Sequence, residues 1–190
     1  MTSTLKMRDT RGLEPSRMRR MATLRNRVHK LVREELLASN STDLDEHLIV
    51  LYDFDLNAFG PHAFTRHAFF GALGRQETLR NDWDMLCANS LRHIDELPSN
   101  PVGLWDCFAF RDLKNDSYNV PDCIDTIGHT LYAQYDLVPV HSCFGGLAIY
   151  RPERFLQCEY DPDVNDCEHV VFHTCMRQRG ARAGCSWTRC

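Results

Sequence analysis

The 190-residue sequence predicts an α/β domain in which a mixed, mainly parallel sheet is flanked by helices. Short apolar runs such as 48–52 (LIVLY) are bounded by polar segments, which is typical of buried strands. Stretches with apolar residues at helical spacing alternate with these runs along the chain. Apolar residues form 43% of the chain and Gly (10) and Pro (8) are sparse, which excludes collagen-like and low-complexity classes.

The first predicted element is an amphipathic helix. Residues 1–15 show no periodicity and are predicted to be a flexible lead. Ser16 is a suitable N-cap, and one helical stripe then carries Met18, Met21, Leu24, Val28, Leu31, Val32 and Leu36. Residues 1–33 hold ten Lys or Arg against two acidic residues. This excess could form a basic arm for RNA or another polyanion, or a solvated helix face.

The single domain is predicted over 16–180, with an irregular tail over 181–190. Predicted strands cover 48–52, 85–88, 104–110, 137–140 and 143–150. Predicted helices begin after Pro61 and cover 123–135 and 167–179. The nine cysteines include no CxxC pair, so the usual zinc-ribbon and thioredoxin signatures are missing. No apolar run approaches the roughly 20 residues of a membrane-spanning helix, so no transmembrane segment is predicted.

Asp53 and Asp55 follow the first predicted strand directly. In open α/β sheets, ligands bind at the carboxyl ends of the strands. Two carboxylates one residue apart can hold a hard divalent cation that bridges to phosphates. Because the same pair also occurs in surface turns, the preceding buried strand is what favours a functional interpretation.

A second candidate lies in the last predicted helix. His169 and His173 are four residues apart, so they share a helix face and could both reach a metal. Glu168 points in a neighbouring direction. The alternative is a pair of helix-packing histidines that are hydrogen-bonded to the backbone.

Two further candidates lie between these segments. Gly145-Gly146 at a strand entry would let the backbone approach a substrate closely, or merely permit a bulge. Asp106 lies in an aromatic run and needs a partner, because a lone buried charge is costly. Arg111 could be that partner for structural reasons alone, or the two could hold a sugar hydroxyl or a phosphate.

These motifs occur in a fixed order along the chain. The order is Leu24-Arg25-Asn26, Asp53-Phe54-Asp55, then 82–89 (DWDMLCAN), 105–111 (WDCFAFR), 142–150 (SCFGGLAIY) and 166–169 (DCEH). The ordered set resembles the metal-dependent nucleotide-sugar glycosyltransferases of the GT-A fold. Among these, the chain looks most similar to the group around the fungal capsule-associated α-1,3-mannosyltransferases, over roughly residues 18–180.

The resemblance implies a nucleotide-sugar donor, a glycan or protein acceptor, and no nucleic acid. Asp53 and Asp55 would hold manganese or magnesium on the donor diphosphate, with His169 or His173 as a further metal contact. Arg25 and Asn26 would lie near the nucleotide, and Glu168 or Asp166 would be the acceptor-side carboxylate. The sugar and acceptor region would be lined by Asp106, Arg111, Gly145 and Gly146.

The chain departs from that family in its length before Asp53. Only 52 residues precede Asp53, whereas the family usually carries several βα units there. The sheet is therefore expected to lack its first strands, as in a fragment or an inactive relative. With a preceding membrane anchor the chain would lie in the secretory lumen, and otherwise in the cytoplasm. An alternative is a phosphatase of the haloacid dehalogenase superfamily with Asp53 as nucleophile, although Asn57 stands where Thr or Val is expected.

Overall fold

A computed structural model of the protein describes residues 17–38, 44, 47–53, 83–88, 91–92, 103–104, 106–114, 138–163 and 166–186. In chain order, the elements are α1 (Arg17–Ala38), β1 (Ile49–Tyr52), β2 (Met85–Ala88), β3 (Leu91–Arg92), β4 (Gly103–Leu104), β5 (Val138–Pro139), β6 (Leu147–Tyr150), α2 (Pro152–Phe155), α3 (Glu168–Gln178) and β7 (Ala183–Ser186). The lead 1–15, Asp55 and the helices predicted after Pro61 and over 123–135 lie outside the described residues.

Five strands form one mixed sheet in the order β1-β6-β2-β7-β5, and β3 and β4 form a separate two-stranded sheet. The α/β class is therefore confirmed. Within the large sheet, β6 pairs antiparallel with β1 and β2, and β5 pairs antiparallel with β7. Among the strands that the structure describes, the one parallel pairing joins β2 and β7. The described strands thus differ from the expected mainly parallel sheet, because an apolar run reports burial on both faces and not strand direction.

The segment that was expected to be an irregular tail contributes a strand of this sheet. β7 lies between β2 and β5, and its register places Cys185 opposite Cys87 and Val138. Ala183, Gly184 and Cys185 are buried. Small residues give no apolar run or periodicity, so the pattern did not reveal this strand.

The described part of the run 104–110 contains a turn in place of the predicted continuous strand. Leu104 belongs to the short strand Gly103–Leu104, and residues 107–109 form a turn. The Asp106 carboxylate accepts a hydrogen bond from the backbone N–H of Ala109 at 3.1 Å. A short acidic side chain that bonds to nearby backbone competes with the strand ladder, which explains the difference.

Helices α1, α2 and α3 pack together against the sheet through aromatic rings. His29 of α1 stacks on Phe155 of α2 with ring centroids 4.8 Å apart. Phe172 of α3 makes an edge contact with Tyr150 of β6 at 6.1 Å. Arg19 in the basic segment pairs at the surface with Asp163 at 2.6 Å, so part of the positive charge of this segment is matched by another part of the domain. No helix in the described ranges combines the length and apolar character needed to cross a membrane.

Disulfides connect separate elements of the domain. Cys87 of β2 is bonded to Cys143 in the loop before β6, and Cys158 after α2 is bonded to Cys175 of α3. Cys107 is also disulfide-bonded. These covalent links constrain the unfolded chain and so stabilise the loops that carry the candidate site.

Candidate functional site

Asp53 lies at the carboxyl end of β1, directly beside the paired glycines. Its backbone N–H donates to the Gly146 carbonyl at 2.8 Å, which continues the antiparallel pairing of β1 with β6. Gly145 and Gly146 have φ of 57° and 79°, a left-handed region that favours glycine. The glycine turn and the Asp53 backbone are therefore neighbours in one structural unit.

Arg25 connects two of the predicted carboxylates. Its Nε donates to Glu168 Oε1 at 3.2 Å, and its Nη2 lies 3.9 Å from Asp53 Oδ1. The guanidinium also lies over the Phe144 ring, with Cζ 5.0 Å from the centroid, and 5.9 Å from the Tyr160 centroid. Residues from α1, from the end of β1 and from α3 thus meet at one point, and the separate roles that the resemblance implies for Arg25, Asp53 and Glu168 stay predictions.

The cluster of Arg25, Glu168 and Asp53 contains two largely buried side chains and one partly exposed side chain. The side chains of Arg25 and Glu168 are 13% and 7% exposed, whereas Asp53 is 40% exposed. Burial alone would lower the pKa of Arg25, but Tyr160, Glu168 and Asp53 outweigh that effect and the pKa is raised. Arg25 therefore remains a cation, with the partly exposed carboxylate of Asp53 on its outer side.

Asp106 belongs to the same electrostatic environment. Burial is the main cause of its raised pKa, and the negative charge of Glu168 raises that pKa further. Its hydrogen bond from Ala109 and the positive charge of Arg25 act in the opposite direction. Asp106 therefore lies within electrostatic range of both Arg25 and Glu168.

Arg111 pairs with Asp166 rather than with Asp106. Its Nη2 donates to Asp166 Oδ1 at 2.7 Å, and its Nη1 donates to the carbonyls of Phe108 at 3.0 Å and Phe110 at 2.7 Å. This arginine fixes the turn over 106–111 beside the start of α3. Asp166 itself is 41% exposed, so a carboxylate remains accessible at this position.

Asn26 was predicted near the nucleotide, but the structure gives its side chain a contact with the backbone. Its Nδ2 donates to the Tyr160 carbonyl at 2.7 Å, and its Oδ1 accepts from the Tyr160 N–H at 2.8 Å. Both ends of the amide are engaged, so this side chain ties α1 to the segment after α2. Binding of a nucleotide by Asn26 stays a prediction.

The two histidines of α3 lie in the core. His173 is hydrogen-bonded through Nδ1 to Ser142 Oγ at 2.9 Å and through Nε2 to the Tyr150 hydroxyl at 3.0 Å. His169 stacks on Phe144 at 3.9 Å, and within the described part of the chain neither of its ring nitrogens has a hydrogen-bond partner. Burial lowers the pKa of His173 to about 3 and that of His169 well below its usual value. Both rings are neutral, and metal coordination by them stays a prediction.

Sequence reasoning missed the aromatic rings that frame Arg25. Phe144 lies inside the 142–150 motif, in which only the glycines are predicted site residues. Nothing in the sequence around Tyr160 indicates a functional role. Within the described ranges, no group of three or more His, Cys, Asp or Glu side chains is arranged to hold a metal ion. Comparisons of the chain with protein-family models, curated proteins and solved structures find no match.

Proposed function

We propose that the protein is a metal-dependent glycosyltransferase of the GT-A type. It would move a hexose such as mannose from a nucleotide-sugar donor to a hydroxyl of a glycan or protein acceptor. The observation that carries the proposal is the ion-paired cluster of Arg25, Asp53 and Glu168 at the carboxyl end of β1. These residues are far apart in the sequence and come from three separate motifs of the ordered set.

The donor side of the proposed site rests on Asp53 and Arg25. Asp53, together with Asp55, would hold manganese or magnesium, because such ions bind through one or two carboxylates plus substrate phosphates. The partly exposed Asp53 carboxylate has suitable oxygen chemistry for this role. When bound, the ion would stabilise negative charge on the leaving diphosphate.

Arg25 would contribute a second positive charge to diphosphate binding. Its Nε is held by Glu168 and its plane is supported by Phe144, so the guanidinium is preorganised. Among the described residues, its Nη atoms make no hydrogen bond, and they can donate to phosphate oxygens. A guanidinium suits this role because its planar donors match phosphate geometry.

The acceptor side of the proposed site rests on Glu168 and Asp166. In an inverting reaction, one of these carboxylates would accept the proton of the acceptor hydroxyl as that oxygen attacks the sugar. Glu168 is oriented by Arg25, and Asp166 is oriented by Arg111. Asp106 and the glycine turn would border the space in which the transferred sugar lies.

A thermal-shift measurement tests the proposal directly. The purified chain is heated with nucleotide-linked mannose, glucose, galactose or xylose, with and without manganese. A donor at 100 times its Kd should add about 2.7 kcal/mol of stability in the presence of manganese. For a chain of this length, that corresponds to a Tm increase of roughly 5–10 °C.

Two variants give this measurement its specificity. Asp53→Asn keeps the size of the side chain and should abolish the manganese-dependent increase. Asp163→Asn is the matched control, because Asp163 is exposed and pairs with Arg19 outside the cluster. The absence of any increase for all four donors, or an equal increase in Asp53→Asn, contradicts the proposal.

A further inference from the structure

Phe108 exposes a large aromatic ring on a turn whose neighbours are buried. The residue is 54% exposed, whereas Cys107, Ala109 and Phe110 are buried. A single exposed apolar residue is ordinary on a protein surface, so exposure alone carries no functional conclusion. The position of Phe108 becomes informative because several hydrogen bonds fix the turn that carries it.

The Phe108 turn, defined as residues 106–111, is fixed at several points. The Asp106 carboxylate accepts from the Ala109 N–H, and Arg111 Nη1 binds the carbonyls of Phe108 and Phe110. The backbone of Arg111 exchanges two hydrogen bonds with that of Ser142, at 2.9 and 3.2 Å. A ring presented on such a rigid turn loses little conformational freedom when a ligand covers it.

The charges around the turn favour a neutral, hydroxyl-rich ligand. Asp106 belongs to the turn, Asp166 is bound to it through Arg111, and Glu168 is close enough to affect the pKa of Asp106. The positive charge of Arg111 is matched by Asp166, and that of Arg25, which also acts on Asp106, is matched by Glu168. Carboxylates accept hydrogen bonds from hydroxyl groups but repel a diphosphate. An aromatic ring beside such acceptors suits a pyranose, which has an apolar C–H face and hydroxyls at its rim.

We propose that the Phe108 turn binds the saccharide acceptor, with Phe108 stacked on one pyranose ring and Asp106 and Asp166 accepting hydrogen bonds from its hydroxyls. The role of this saccharide as the acceptor of a transfer rests on the proposed function. The binding of a neutral saccharide at this turn does not depend on that function, and it can be measured separately.

Saturation-transfer NMR on the full chain tests this binding without any donor. The probes are the methyl glycosides of mannose, glucose, galactose and xylose, titrated to obtain a Kd. We expect at least one probe to bind, with an affinity about tenfold weaker in Phe108→Ala, since stacking on an aromatic ring has roughly that effect. Phe108→Tyr should restore binding because it keeps the ring. Leu113→Ala should leave binding unchanged, because Leu113 is equally exposed but lies beyond the turn.

The outcomes separate this proposal from the proposed function. If no probe binds, or if Phe108→Ala binds every probe as well as the wild type, the saccharide site is wrong even where manganese-dependent donor binding is intact. If Phe108→Ala instead weakens binding of a nucleoside diphosphate, the ring contacts the donor base and the acceptor assignment is overturned. Saccharide binding that depends on Phe108, without any donor binding, supports the saccharide site and contradicts the transferase.

Discussion

Replacing Asn26 by Ala should destabilise the protein even when no ligand is present. The change removes both hydrogen bonds to the Tyr160 backbone and leaves a donor and an acceptor without their partners. At roughly 1.5 kcal/mol for each partly buried group, the loss is about 3 kcal/mol. Alanine is the better helix former by roughly 0.6 kcal/mol, so the net destabilisation is about 2 kcal/mol. In a chain of this length, the Tm should fall by roughly 4–8 °C.

Urea unfolding followed by circular dichroism measures this change in the free energy of unfolding. Arg33→Ala is the control, because Arg33 lies on the same helix and makes one exposed hydrogen bond to the Leu156 carbonyl. We expect that control to change stability by less than about 0.5 kcal/mol. Equal stability of Asn26→Ala and Arg33→Ala would refute the structural role of Asn26. Its amide would then be available for the predicted contact with the nucleotide.

Two further predictions concern stability. His169 and His173 are buried and neutral, with pKa values lowered from about 6.5, so the unfolded state takes up protons first as the pH falls. The free energy of unfolding should therefore decline as the pH falls below 6.5, by roughly 1 kcal/mol per pH unit for each histidine. Urea midpoints that stay constant from pH 7 to 5 would contradict this. Cys158→Ser opens a disulfide spanning 17 residues and should lower the free energy of unfolding by about 3 kcal/mol. An unchanged urea midpoint without reductant would show that this bond does not form.

The elements that the sequence predicted well are those with a continuous apolar pattern. The strands Ile49–Tyr52 and Met85–Ala88 and the helix Glu168–Gln178 agree with the predicted ranges within one residue at each end, and the helix Arg17–Ala38 begins directly after the predicted N-cap Ser16. The turn at 106–111 and the strand Ala183–Ser186 do not follow from local pattern. The turn depends on side-chain hydrogen bonds. The strand consists of small residues that become ordered only through pairing within the sheet.

The candidate site shows a similar division. The family resemblance implies one site that contains Arg25, Asp53 and Glu168, and the structure brings these three side chains together. Their ion pairing joins residues up to 143 positions apart, and no local pattern reports such a contact. The same reason explains Asn26 and His173, whose partners become visible only when α1, α3 and β6 are packed.

The most direct test of the transferase is the release of nucleoside diphosphate from a nucleotide sugar. The wild-type chain is incubated with manganese, each of the four donors and a mixture of saccharide acceptors, and product is followed by mass spectrometry. We expect a saccharide that gains one hexose or pentose and an equal amount of nucleoside diphosphate. Of the variants Glu168→Gln and Asp166→Asn, one should lose this transfer while retaining donor binding, since its amide cannot accept the proton of the acceptor hydroxyl. Absence of product from all four donors, or undiminished transfer by Asp53→Asn, would contradict the proposed metal-dependent glycosyl transfer.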